Sequence, residues 1–154
     1  MQLVRDLFFG GVAPSSIVAE SGLALLRIGA GLMMAIGSGL PKVPPGEQFV
    51  AMVEGLGFPL PLFFAGLAGL AELVGGLLLA AGILTRPAAA ALLVTMLVAV
   101  LGAHAGDPLL AAPGEPSAEK AALYGLVALA FVAAGSGRLS GDYLLRGWYD
   151  RLMP

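Results

Sequence analysis

From Leu62 to Leu84 the chain runs for 23 residues with a single ionisable side chain, Glu72. At about 1.5 Å per residue, a helix of that length reaches roughly 35 Å, enough to cross a bilayer core of about 30 Å with some tilt. Glu72 then falls near the middle of the span. A carboxylate at that depth is disfavoured by several kcal/mol unless it is paired, protonated or wetted. Composition agrees with a membrane setting. Only 12% of the 154 residues are charged, 58% are hydrophobic, and the mean hydropathy is +0.93. A soluble domain of this size carries roughly 25% charged residues.

Three further apolar segments accompany this one. The expected helices cover about 20–40, 62–84, 87–105 and 117–136. Ser21 is a plausible cap for the first, and Pro41, Pro44 and Pro45 end it by removing donors. Pro87 suits the first turn of the third, and Pro116 precedes the fourth. Backbone groups in lipid must be satisfied within a segment, so all four are expected to be helical. The fold class expected for residues 1–154 is therefore an all-α, four-transmembrane-helix bundle forming a single membrane domain. A tail helix over 140–153 completes it. There Tyr143, Leu144, Trp148, Leu152 and Met153 share an apolar side and Arg146, Asp150 and Arg151 face water, an interfacial pattern. Binding to a partner protein is the other reading of that tail.

Arg5, Arg86, Arg138, Arg146 and Arg151 flank one side of the spans and Lys42 and Lys120 the other. The positive-inside rule makes the arginine side cytoplasmic. Both termini are then inside, in an inner-membrane protein whose longer loops, 41–58 and 106–116, are outside. The N-terminal Arg5–Asp6 pair and the short apolar stretch Leu7–Val12 read as a cytoplasmic or interfacial arm, not a signal peptide. Net charge is −2 and no basic patch is present, so nucleic acid is not an expected partner.

Glu72 shares a helix face with Ala65, Gly69, Gly76 and Ala80, small residues that let helices approach closely. It is expected to point into the bundle. Counted from the outer helix ends, Glu72 lies about 16 Å deep and Arg27 about 20 Å deep. The simplest arrangement pairs them, as either a working site or a pin between helices; otherwise Arg27 snorkels to the cytoplasmic face. Lys42, His104, Asp107, Glu119 and Tyr124 collect toward the outer face. His104, the only histidine, is read either as a proton-exchanging, ligand-facing group or as an interfacial side chain bonded to Asp107 or Glu119. One histidine without a second at ligand spacing does not suggest a metal, and none is expected. Arg86 reads as a topological anchor and Asp142 as a cap for the tail helix. The chain has no cysteine, which excludes thiol and disulfide chemistry of its own.

The stretches LLRIGAGLMMAIGSGLPKV, LGFPLP, AELVGGLLLAAGILTRPAAAAL, GAHAG, EKAALYGLVALAF and GSGRLSGD together resemble the DoxX/DoxD-like family of small bacterial four-helix membrane proteins, over about residues 22–142. The resemblance implies an oxidoreductase-linked setting. Some members are similar to the membrane subunit of a thiosulfate:quinone oxidoreductase, and others are associated with thiol or oxidative-stress systems. The family's polar positions carry over as Arg27, Lys42, Glu72, Arg86, His104, Glu119 and Asp142. The expected function is a quinone-linked or oxidoreductase-associated membrane subunit with a polar pocket. Glu72 and His104 are its candidate catalytic groups, and Arg27, Lys42, Tyr124 and Glu119 its candidate ligand-binding groups. Quinone is the expected cofactor; a redox partner subunit and further copies of the chain are the expected partners besides the bilayer. The alternatives are a non-enzymatic assembly protein and, ranked last, a small-solute transporter.

Overall fold

A computed structural model describes residues 16–152, with side chains to residue 148. The N-terminal arm with Arg5 and Leu7–Val12, and the side chains of Asp150, Arg151, Leu152 and Met153, lie outside the described residues.

Every regular element among the described residues is helical. Helix α1, Ile17–Met34, starts before the expected Glu20 because Ser16, not Ser21, is its cap; the Ser16 hydroxyl accepts from the Val18 amide at 3.3 Å. It continues through a π-helical turn, Ala35–Gly39, and a 3-10 turn, Leu40–Lys42, before the proline pair stops it. Helix α2, Glu47–Gly55, occupies the segment expected to be loop and packs along helix α3, Pro61–Ala81. Pro61 opens α3 where its missing N–H is not needed. Gly82, with φ 67°, closes it in the left-handed conformation that glycine adopts without a Cβ penalty. Helix α4, Thr85–Val98, ends in a second π turn, Ala99–Ala103. Helix α5, Glu119–Ala134, packs along α4, and α6, Gly141–Leu152, forms the tail.

Among the described residues, three helical stretches are long and apolar enough to cross a membrane: Ile17–Lys42, Pro61–Ala81 and Thr85–Ala103. Helix α5 has 16 residues, shorter than the ~20 that usually span. Side-chain placement inverts that of a soluble protein. Large apolar residues such as Leu25, Leu62, Phe63, Leu101 and Leu126 face outward, whereas Glu20, Arg27, Glu72 and Asp142 are buried. Lipid accepts the first group, and the second is kept from it. Met34, Leu79, Leu92, Met96 and Phe131 fill the interior between α1, α3, α4 and α5.

Glycines set the register of α1 against α3. A Cβ on Gly31 would lie 2.6 Å from the Ala80 nitrogen, and one on Gly39 would lie 2.3 Å from the Leu73 nitrogen. Gly69 in turn abuts the Lys42 carbonyl. The backbones are thus in direct contact along an antiparallel seam, the close approach that small residues permit. Lys42 ends α1 at the level of Gly69, eight residues (about 12 Å) in from the start of α3. Helix α2 fills the space left above it.

Candidate functional site

This register decides which charges meet. Glu72, on the small-residue face of α3 and only 2% exposed, takes two hydrogen bonds from Lys42 Nζ, at 2.5 Å to Oε1 and 2.7 Å to Oε2. The expected Arg27–Glu72 pair does not form. Depth counting failed because it aligned the outer ends of α1 and α3, whereas α1 stops well inside α3. The Lys42 ammonium also lies 5.1 Å from the centre of the Phe49 ring on α2, a favourable cation–π placement.

Arg27 belongs to the opposite end. Its guanidinium donates to the Leu79 carbonyl at 3.2 Å and to the Leu139 carbonyl at 2.8 Å. It fills the space where a Gly82 side chain would be. Asp142 does not cap the tail helix as expected. Its Oδ1 accepts from the Leu84 amide at 2.7 Å and its Oδ2 from the Thr85 amide at 3.0 Å, so it caps α4 from 57 residues away. A carboxylate there satisfies orphan donors and suits the positive end of the helix dipole. Ser140 caps the tail instead, accepting from the Tyr143 amide at 3.2 Å. Glu20 accepts from the Arg138 amide at 2.8 Å, and Arg86 donates to the Ala133 carbonyl at the end of α5 at 3.1 Å. Arg27, Arg86 and Asp142 therefore fasten helix ends and the 135–142 segment to one another.

At the Lys42 end, a cleft of about 640 Å³ opens between α2, α3 and α4. Its wall is largely apolar, from Phe49, Leu56, Phe64 and Val98 among others, and its polar groups are Lys42, Glu72, Thr95 and His104. The Thr95 hydroxyl is already used, donating to the Ala91 carbonyl at 2.9 Å. A second cavity of about 330 Å³ lies toward α5 and is lined by Ser38, Lys120 and Tyr124. Lys42, Glu72 and His104 line both, so they form the shared wall. His104 Nδ1 lies 2.9 Å from Asp107 Oδ2, one of the two partners expected for it. Of the candidate residues, Lys42, Glu72, His104 and Tyr124 come together here. Arg27 does not, and Glu119 is exposed at the start of α5 and lines neither cavity.

Sequence reasoning missed Lys120, Phe49 and the rest of α2. The spacing of Phe49, Met52, Val53 and Leu56 is helical and was the available signal. It also missed the pairing of Lys42 with Glu72, having placed Lys42 near the outer face as a candidate ligand-binding group. Both Lys42 and His104 follow a π turn. In the second, the His104 amide reaches back to the Ala99 carbonyl at 2.9 Å. Such turns rotate the residues after them and occur often at functional sites.

No curated protein and no solved structure matches the chain. The family model DoxX matches residues 22–105, more than half of the chain. Those residues contain the α1–α3 seam, the Lys42–Glu72 pair and the α4 segment ending at His104. The chain is a membrane protein of the DoxX family.

Proposed function

We propose that this protein is a quinone-linked, oxidoreductase-associated membrane subunit, and that the cleft at Lys42, Glu72 and His104 receives the quinone. One observation carries the reading: a lipid-compatible cleft of about 640 Å³ has its few polar groups gathered around a buried ion pair. Ligand sites of this kind are mostly apolar, with a few polar groups that fix orientation. Phe49, Leu56, Phe64 and Val98 suit an isoprenoid-bearing ring, Lys42 offers a hydrogen bond to a ring oxygen, and Glu72 holds Lys42 in place. His104, half-exposed and bonded to Asp107, links the site to water. A bound quinone supplies two-electron, two-proton redox chemistry. In this reading the electrons come from a redox partner subunit; the chain, without cysteine, holds no cysteine-ligated cluster of its own.

In this reading the chain crosses the inner membrane four times, α5 being the fourth span, with both termini cytoplasmic. Leu144, Leu145 and Trp148, exposed on α6, then lie in the headgroup region. The test is solvent extraction of the purified protein followed by mass identification of what accompanies it. A near-stoichiometric quinone, lost in Lys42→Met, is the expected result. A stoichiometric membrane protein partner with no quinone, in wild type and variant alike, overturns it in favour of the assembly role.

A further inference from the structure

We propose that Glu72 is a charge filter. By neutralising Lys42 in the wall of the cleft, it restricts the site to amphiphiles whose headgroup is uncharged and accepts a hydrogen bond. It turns away the carboxylate and phosphate headgroups that surround the cleft in any bilayer. The inference rests on the cleft being a ligand site, and adds what that site selects.

The argument is a count of protons and charges. An ammonium has three N–H donors and no acceptor. Two of the Lys42 donors are committed to Oε1 and Oε2 of Glu72, at 2.5 Å and 2.7 Å. One donor remains, on a side chain that is 32% exposed and borders the cleft. An uncharged carbonyl or ether oxygen can take that bond without disturbing the pair. An anionic headgroup cannot approach on the same terms. It meets a Lys42 whose charge is already matched and a Glu72 carboxylate, of its own sign, behind it.

Among the described residues, no other element supplies a compensating cation to the cleft. The residues of α2 and α4 that line it, Phe49, Met52, Val53, Leu56, Ala90, Ala91, Val94, Thr95 and Val98 among them, are uncharged. His104, at the end of α4, already faces the Asp107 carboxylate. Lys120 and Tyr124 of α5 line only the second cavity. Without Glu72, the same cleft would present an unmatched ammonium at the base of an apolar channel. That is the chemistry that captures fatty acids and anionic lipids.

Calorimetric titration of the purified full chain in a neutral detergent, with decylubiquinone and with dodecanoate, tests this. Wild type is expected to bind decylubiquinone and to bind dodecanoate at least ~10-fold more weakly. A tenfold preference corresponds to about 1.4 kcal/mol. Glu72→Gln should gain at least ~10-fold in dodecanoate affinity, and adding Lys42→Gln should remove that gain. Equal wild-type affinity for the two ligands overturns the filter while leaving the site in place, and needs no variant to fold. So does an unchanged preference in folded Glu72→Gln. Binding of neither ligand by wild type overturns the site itself, and the filter with it.

Discussion

Lys42 and Glu72 hold each other where neither is comfortable alone. Removing one partner of a buried pair strands an ion, whereas removing both can be nearly neutral. Lys42→Met and Glu72→Gln are each expected to lower stability by about 2–3 kcal/mol, toward the low end because Lys42 is one-third exposed. The double variant should recover at least half of the summed loss in a detergent-unfolding cycle. The cycle of Arg27→Met with Glu72→Gln should be additive, since those residues sit at opposite ends of the α1–α3 seam. Coupling in the second cycle but not the first would contradict the pairing. That Glu72 points inward was readable from Gly69 and Gly76, three residues before and four after it. Its partner was not, because partner choice depends on register between helices. That register is set by backbone contacts such as Gly39 on Leu73, which leave no mark in helix length or depth.

Helices here are ended by distant groups as well as local ones. Pro61 opens α3 one residue before the expected 62, whereas Gly82 and Gly135, with φ 67° and 79°, close α3 and α5 short of the expected 84 and 136. Helix α2 escaped notice because its nine residues lie between prolines and glycines that read as loop. Asp142 was misassigned for a different reason. An acidic residue in the first turn of a helix normally serves that helix, and nothing local reveals that it serves α4 across 57 residues. Losing a cap costs about 1–2 kcal/mol. Asp142→Ala is expected to lose about 2 kcal/mol in denaturant unfolding, because it removes the acceptors of two α4 amides at once. Asp142→Asn, which keeps one acceptor oxygen, should lose about half as much. Equal losses for the two would mean that the oxygens themselves contribute nothing.

At the scale of the whole molecule, four of the described basic residues gather at two ends. Lys42 and Lys120 border one cavity, while Arg86 and Arg138 meet the end of α5 and the start of α1. Composition alone was enough to read a chain with few charges as a membrane protein, and the outward-facing leucines and phenylalanines follow from it. The proposed crossing by α5 is the least legible part, because 16 residues are short for a span. Since the chain has no native cysteine, single introduced cysteines report cleanly. With a membrane-impermeant maleimide added outside intact cells, positions 47 and 113 should label, and positions 86 and 146 should not. Labelling at 146 together with 47 would mean that α5 does not cross. Labelling at 86 but not 47 would reverse the orientation.

The long reach of Asp142 has a consequence for biosynthesis. Synthesis proceeds at about 5–20 residues per second, so the amides of Leu84 and Thr85 leave the ribosome on the order of several seconds before the carboxylate that will cap them. Helix α4 therefore enters the bilayer with an unfinished end, as does Arg27, which waits for the Leu139 carbonyl. The segment around residues 139–142 completes both. A chain that stops before residue 139 leaves Arg27 with the Leu79 carbonyl alone and two α4 amides without their carboxylate, all at the same corner.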